Sequence, residues 1–231
     1  MERRPGGAMA RRELHFIWLL DTSGSMNADG KIQALNIAIR ETIPQLRAAA
    51  GDNPNVSVLM RAMTFSNGAA WHIATPTPVA NVRWTDVAAS GHTDLGAALT
   101  LLAAALKVPP MPERAVSPVL VLVTDGYHTD AEDFETGLAA LLAEQWGRDA
   151  VRIAITIGRD VNLQALQQFI GNDAIEPLQA QNAETLLQHI RWASRTGVES
   201  ASQLADPVLR KRVQDAHQAS QLSQSNTADE W

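Results

Sequence analysis

Three segments of the chain place oxygen-bearing side chains directly after an apolar run or before a helix-like pattern. The run "HFIWLL" stops at Asp21, and Ser23 and Ser25 follow at every second position. Farther along, "SGHTDLG" presents Thr93, and "VLVLVTDG" ends with Asp125. These two carboxylates and three hydroxyls form an all-oxygen set of the kind that hard cations such as Mg²⁺ prefer. Because neutral hydroxyls leave much of the ion's charge in place, the set predicts a metal site that attracts a carboxylate from another molecule.

The elements around these segments alternate between strand-like and helix-like patterns. From Lys31 onward, apolar residues recur every three or four positions, which predicts a helix that kinks or ends early at Pro44. A second helix is expected from Asp94, and "VLVLVT" predicts a strand covered on both faces. This alternation indicates an α/β fold with a mostly parallel sheet and helices on both faces. Ligands of such sheets bind at the carboxyl ends of the strands, near the switch point.

The remaining patterns complete the predicted domain. "VSVLMRAMTFS" and "AAWHIATPTPV", joined by "SNGA", predict a hairpin that adds one antiparallel edge strand. Later segments predict a helix, a buried strand, a helix ending on a glycine, a short edge strand and a final helix in "AETLLQHIRWAS". We divide the chain into a basic, flexible lead-in over 1–12, one domain over 13–198 and a helical or disordered extension over 199–231.

Composition narrows the classes of function. The chain has 231 residues, a formal net charge of −6 and no cysteine. The negative charge gives no electrostatic attraction toward nucleic acid or anionic membranes, and the lack of cysteine excludes disulfides and thiolate zinc sites. The early apolar run is too short for an ordinary signal sequence or a membrane span, so we expect a cytoplasmic protein.

The set of motifs resembles a von Willebrand factor A domain that carries a metal-ion-dependent adhesion site. That family's D-x-S-x-S motif matches Asp21, Ser23 and Ser25, its threonine matches Thr93, and the aspartate of its T-D-G loop matches Asp125. The resemblance covers about residues 13–198 and implies a three-layer, Rossmann-like fold. It also implies that the serines and the threonine bind Mg²⁺ (or Mn²⁺ or Ca²⁺) directly, while the aspartates often act through waters.

Within this family, the short cytoplasmic bacterial form looks closest. "LLDTSGSM", "TFS", "GHTDLGAAL" and "VLVTDG" are similar to proteins of the tellurium-resistance-associated type. Such proteins tend to act beside protein kinases and phosphatases in stress or defence systems. The resemblance implies a protein partner that supplies an acidic residue, without identifying that partner or the oligomeric state.

Each motif also has a plainer interpretation. D-x-S-x-S alone is common in polar turns, and Thr93 or Asp94 could cap the second helix instead of contacting an ion. His92 and His128 flank the proposed site and could tune its surface, although a lone histidine is more often a surface or packing residue. Trp84 could contact a partner. The "RKR" at 210–212 is either a solvated helix face or part of a docking peptide.

Two other functions remain open at this point. A metal-dependent phosphohydrolase could use Asp21 as its nucleophile, but such phosphatases need a second aspartate where Ser23 stands. The chain also lacks the G-x-S-x-G, H-E-x-x-H and G-x-x-x-x-G-K-[ST] motifs, so we expect a protein that is not an enzyme. A scaffold with a purely structural metal site is the third reading.

Overall fold

Strands and helices alternate along the part of the chain that the structure describes. This computed structural model describes residues 11–51, 56–126, 131–158, 162–173 and 175–204. Its strands are β1 (Arg12–Asp21), β2 (Val56–Ser66), β3 (Gly68–Pro78), β4 (Val119–Thr124), β5 (Val151–Ile157) and β6 (Leu178–Ala180). Its α-helices are α1 (Lys31–Gly51), α2 (Leu95–Ala105), α3 (Ala131–Ala143), α4 (Gln145–Arg148), α5 (Leu163–Ile170) and α6 (Ala183–Leu204).

The strands form one sheet in the order β3-β2-β1-β4-β5-β6. All neighbouring pairs are parallel except β2 and β3, which form the predicted hairpin with Ser66 paired to Gly68. The predicted antiparallel edge strand is therefore confirmed. From β1 the chain builds the sheet first toward β3 and then, from β4 onward, in the opposite direction. The switch point consequently lies between the adjacent strands β1 and β4.

Helices cover both faces of the sheet, as predicted. Successive side chains of β1 point to opposite faces. Phe16 and Trp18 are buried with residues of α1 and α6 on one face, whereas Ile17 and Leu19 are buried with residues of α2, α3 and α5 on the other. The fold is a three-layer α/β arrangement with two separate apolar cores.

Helix α1 differs from the expectation at Pro44. The helix continues through this residue to Gly51. An internal proline removes one backbone hydrogen bond and crowds the preceding turn. Here Ile43 and Leu46, on either side of Pro44, are 5% and 1% exposed and hold the helix on the sheet. Most helical stability in proteins comes from such packing of an apolar face, which offsets the local cost of the proline.

The final helix is longer than "AETLLQHIRWAS". Helix α6 runs from Ala183 to Leu204 and so passes residue 198, where we ended the predicted domain. Among the described helices, α6 included, none combines the length and the apolar character needed to cross a membrane. Several expectations lie outside the described residues. These are residues 1–10 of the basic lead-in, His128, and the part of the extension beyond residue 204, which includes the "RKR" at 210–212.

Helices α2 and α3 approach each other closely at two glycines. A Cβ built on Gly96 would collide with the main-chain carbonyl of Asp133, and one built on Gly137 would lie 2.5 Å from the carbonyl oxygen of Gly96. Only glycine allows the two backbones to come this near. The contact matters for the site because it fixes the first turn of α2, which follows directly after Thr93.

Candidate metal centre

Both predicted aspartates lie at the switch point. Asp21 is the last residue of β1, and Asp125 follows directly after the end of β4. Parallel pairing aligns Leu20 with Val123, so the two strand ends lie side by side. Four of the predicted site residues are joined here by a continuous set of hydrogen bonds: Asp21, Ser23, Ser25 and Asp125.

The Asp21 carboxylate is fully buried, and both of its oxygens accept hydrogen bonds from the protein. The Ser23 N–H donates to Oδ1 at 2.8 Å, and the Thr124 hydroxyl donates to Oδ2 at 2.6 Å. Burial raises the pKa of Asp21 above its ordinary value of 3.8, the nearby charge of Asp125 adds to the rise, and the hydrogen bonds oppose it. Because burial dominates, ionising Asp21 is costly until a cation comes close.

The hydroxyls of Ser23 and Ser25 and one oxygen of Asp125 lie at even spacing. The two hydroxyl oxygens are 3.0 Å apart, and Ser25 Oγ donates to Asp125 Oδ1 at 3.0 Å. Neighbouring ligands of an octahedral Mg²⁺, each about 2.0–2.1 Å from the ion, are separated by about 2.9 Å. The spacing of the two hydroxyls therefore fits two ligands of a small hard cation, and the Asp125 carboxylate lies beside them.

Thr93 belongs to a second loop that backbone hydrogen bonds join to the first. The Gly24 N–H donates to the Gly91 carbonyl at 2.9 Å, and the Ser90 N–H donates to the Thr22 carbonyl at 2.8 Å. Thr93 is buried directly before Asp94, and it is Asp94 that caps α2 by accepting from the Ala97 N–H at 2.9 Å. Of the two residues considered as caps, the structure therefore assigns the role to Asp94 and not to Thr93.

The tip of the β2–β3 hairpin completes the junction of loops. Asn67 Oδ1 accepts from the His92 N–H at 2.9 Å. Gly91 has a φ of +81°, and a Cβ there would lie 2.7 Å from the Asn67 side chain, so a glycine is required on both grounds. The hairpin thereby holds the segment that carries Thr93 against the first loop.

A cavity of about 500 Å³ opens beside Thr93. Its walls come from the hairpin tip, the start of α2 and the start of α3, and the lining includes Ser66, Asn67, His92, Asp94 and Asp133. His92 is exposed on its rim, where a bound molecule would meet it. The cavity provides room next to Thr93, the one predicted metal ligand in its lining, for part of another molecule.

Sequence reasoning missed the roles of two residues at the centre. The first is Thr124, whose hydroxyl donates to Asp21 and accepts from the Gly126 N–H at 3.0 Å. The second is Lys31, whose ammonium lies 2.9 Å from Asp125 Oδ2. The T-D-G motif pointed to Thr124 without giving it a role. No local pattern indicates that the first residue of α1 turns back toward a carboxylate about a hundred residues away.

Trp84 packs within the domain. Its ring lies against His72, with centroids 4.8 Å apart, and its indole N–H donates to Asn36 Oδ1 at 3.1 Å. The same Asn36 oxygen accepts from the Val87 N–H at 2.9 Å. These contacts hold the loop between β3 and α2 against α1, so the structure gives Trp84 a packing role.

Comparisons with known proteins find similarity in both sequence and fold. Residues 16–128 match the sequence profile of the von Willebrand factor type A domain. The structure is also similar to a solved von Willebrand factor type A protein from Catenulispora acidiphila, with a TM-score of 0.64 and 16% identity over 81% of this chain and 43% of that one. The fold is that of a von Willebrand factor type A (vWA) domain. The profile match and the fold both support the vWA domain that the motifs resemble.

Two further solved structures are similar to this fold. The PilB minor pilin from Streptococcus sanguinis is similar with a TM-score of 0.63 and 17% identity over 86% of this chain and 64% of that one. Proximal thread matrix protein 1 from the mussel byssus, solved with a zinc-occupied MIDAS (metal-ion-dependent adhesion site) motif, gives a TM-score of 0.60 and 16% identity over 82% and 46%. The chain thus spans less than two thirds of each of these proteins. No curated protein sequence matches it.

Proposed function

We propose that this vWA domain is a metal-dependent protein-binding module. Ser23, Ser25 and Thr93 would hold Mg²⁺, and Asp21 and Asp125 would hold its waters. Mn²⁺ and Ca²⁺ are alternative ions. A glutamate or aspartate of the partner would complete the coordination. The observation that carries the proposal is the 3.0 Å spacing of the Ser23 and Ser25 hydroxyl oxygens at the switch point, with the Asp125 carboxylate hydrogen-bonded beside them.

The charge of the ligand set supports capture of a carboxylate. The three side chains proposed to contact the ion directly are neutral hydroxyls, so the ion keeps much of its positive charge. Helix α2 begins directly after Asp94, and the positive end of its dipole favours an anion nearby. The cavity beside Thr93 leaves space for the segment of the partner that carries the carboxylate.

We further propose that the domain binds rather than catalyses. A nucleophilic aspartate must present a free oxygen to its substrate. Asp21 is fully buried, and its two oxygens accept from Ser23 and Thr124. Ser23 also occupies the position at which the dehalogenase-like phosphatases have a second aspartate. These features favour a binding module over a phosphohydrolase.

The cellular role and the class of partner are proposed from the resemblance alone. "LLDTSGSM" and "GHTDLGAAL" are similar to cytoplasmic bacterial proteins of the tellurium-resistance-associated type. We therefore propose a cytoplasmic role in a stress or defence system, with a protein kinase or phosphatase as the acidic partner.

The test is affinity capture from native lysate with mass spectrometry, in Mg²⁺ and in EDTA. We expect a partner that is retained in Mg²⁺ and released by EDTA, and that Ser25→Ala fails to capture. Ser25 is exposed, so the folded domain should tolerate its loss. Ser57→Ala is the matched control and should behave as wild type. Ser57 lies near the amino end of β2, at the opposite end of the strands from the candidate metal centre. Capture that survives both EDTA and Ser25→Ala would refute the proposal.

A further inference from the structure

Lys31 brings a fixed positive charge into the candidate metal centre. Its ammonium lies 2.9 Å from Asp125 Oδ2, while Oδ1 of the same carboxylate accepts from Ser25. The Asp125 side chain is 2% exposed and that of Lys31 is 21% exposed. The pair is thus shielded from water, unlike Arg40–Asp86 and Arg191–Glu41, whose side chains are all more than 40% exposed. The charge of Lys31 is therefore less screened by solvent than the charges of an ordinary surface ion pair.

The local backbone delivers Lys31 to this position. The 3₁₀ turn Gly24–Gly30 begins between the two serines and ends with positive φ at Asp29 (53°) and Gly30 (71°). This left-handed end reverses the chain, so that α1 starts with Lys31 at the mouth of the site. Gly158, just after β5, lies beside the ammonium, since a Cβ built there would be in ordinary van der Waals contact with Nζ at 4.0 Å. The turn that positions the serine hydroxyls therefore also positions the Lys31 ammonium.

We propose that Lys31 determines the balance between metal affinity and carboxylate affinity at this centre. When both are ionised, Asp21 and Asp125 carry two negative charges and Lys31 one positive charge. A bound divalent ion then leaves the centre with a net positive charge, whereas without Lys31 the loaded centre would be neutral. Lys31 repels the ion and attracts the anionic ligand. The inference rests on the proposed function and adds to it the residue that sets the affinity.

This proposal predicts opposite changes in two affinities from one substitution. Lys31→Met removes the charge and keeps an unbranched apolar side chain, so it should bind a divalent ion more tightly. The loaded variant should bind a carboxylate more weakly, because its centre is no longer positive. A residue that only supported the fold would lower both affinities together.

The experiment uses Mn²⁺ as the ion and acetate as the carboxylate. Mn²⁺ binding to the whole chain is titrated by electron paramagnetic resonance. Acetate is then followed through the relaxation of water protons on bound Mn²⁺, since a ligand that displaces water lowers it. We expect Lys31→Met to lower the Kd for Mn²⁺ about tenfold and to raise the acetate concentration for half-effect about tenfold. Lys31→Gln serves as a second charge-removing variant if Lys31→Met folds poorly.

Matched variants separate this effect from net charge. Arg40→Met removes one positive charge from the same helix, but Arg40 pairs with Asp86 at an exposed position. It should change either affinity by less than about twofold. Lys31→Arg keeps the charge and should stay near wild type in both titrations.

The outcomes distinguish this inference from the proposed function. Wild type that binds Mn²⁺, with Lys31→Met binding it equally or less tightly, overturns the inference and leaves the proposed function standing. An unchanged acetate response in a variant that binds Mn²⁺ more tightly overturns the carboxylate part of the inference. Binding of Mn²⁺ by Lys31→Met alone supports the repulsion by Lys31 and overturns the proposed function. Absence of binding in both proteins overturns both.

Discussion

Replacing Thr124 with valine tests the hydrogen bonds that hold the buried carboxylate. Thr124 Oγ1 donates to Asp21 Oδ2 at 2.6 Å and accepts from the Gly126 N–H at 3.0 Å. Valine has nearly the same shape but neither donates nor accepts. The substitution therefore leaves one oxygen of Asp21 without this donor and the Gly126 N–H without this acceptor, at a place where both residues are buried.

The expected cost follows from these two losses. A hydrogen bond to a charged group contributes about 1.5–3 kcal/mol, and a buried donor left without a partner costs about 1–3 kcal/mol. Because the two losses share one hydroxyl, we expect a combined decrease of about 2–4 kcal/mol in the free energy of unfolding. Thr124→Ser keeps the hydroxyl and removes one buried methyl group, which costs about 0.5–1.5 kcal/mol.

Thermal unfolding in EDTA, followed by circular dichroism, measures the difference without any contribution from a bound ion. For a chain of this length, 1 kcal/mol corresponds to about 2–4 °C in Tm. Thr124→Val should therefore lower the Tm by about 5–15 °C, and Thr124→Ser by less than about 5 °C. Equal Tm values for the valine and serine variants would show that the hydroxyl does not hold Asp21, and the reasoning would be wrong.

Two further predictions concern Asp21 and the glycine contact between α2 and α3. Burial raises the pKa of Asp21 in the folded protein. As the pH rises above 3.8, Asp21 therefore ionises first in the unfolded chain, and the metal-free folded state loses stability until Asp21 ionises there too. Urea unfolding in EDTA should therefore show Asp21→Asn to be more stable than wild type at neutral pH. The difference should disappear below pH 3.8, and a variant that is less stable at neutral pH would contradict this. Gly137→Ala should lower the unfolding free energy by about 1–3 kcal/mol, because its Cβ meets the Gly96 carbonyl. Gly51→Ala, with nothing within 4 Å of the added Cβ, is the control, and similar unfolding of the two variants would refute the steric argument.

Periodic patterns were sufficient to predict the architecture. The strand–helix alternation, the hairpin at "SNGA", the glycine after α5 and the edge position of β6 are all present in the structure. Each of these features follows from a local sequence pattern, and burial of apolar side chains favours the same structure. The helix through Pro44 shows the opposite case, because burial of Ile43 and Leu46 outweighs a local signal. The length of α6 was also underestimated, since its polar last turns show little apolar periodicity.

The candidate centre was only partly predictable. Spacing and chain order identified the oxygens of Asp21, Ser23, Ser25 and Asp125, and the structure brings these together, while their role as metal ligands stays a prediction. The contact of Lys31 with Asp125 depends on the direction in which the chain leaves Gly30, and no spacing rule contains that angle. A contact between side chains that are far apart in the sequence, such as this one, can be assigned only when the fold is known.

The backbone bonds between the first loop and the loop before α2 have an entropic consequence. Gly24 and Ser90 donate across this junction to Gly91 and Thr22, and His92 donates to Asn67. Fixing the backbone of one residue costs about 1–2 kcal/mol of conformational entropy. In this domain that cost is met when the sheet folds, because these bonds need no ligand. An arriving ion or carboxylate would meet a rigid surface, so little of its interaction energy would be lost in ordering the protein.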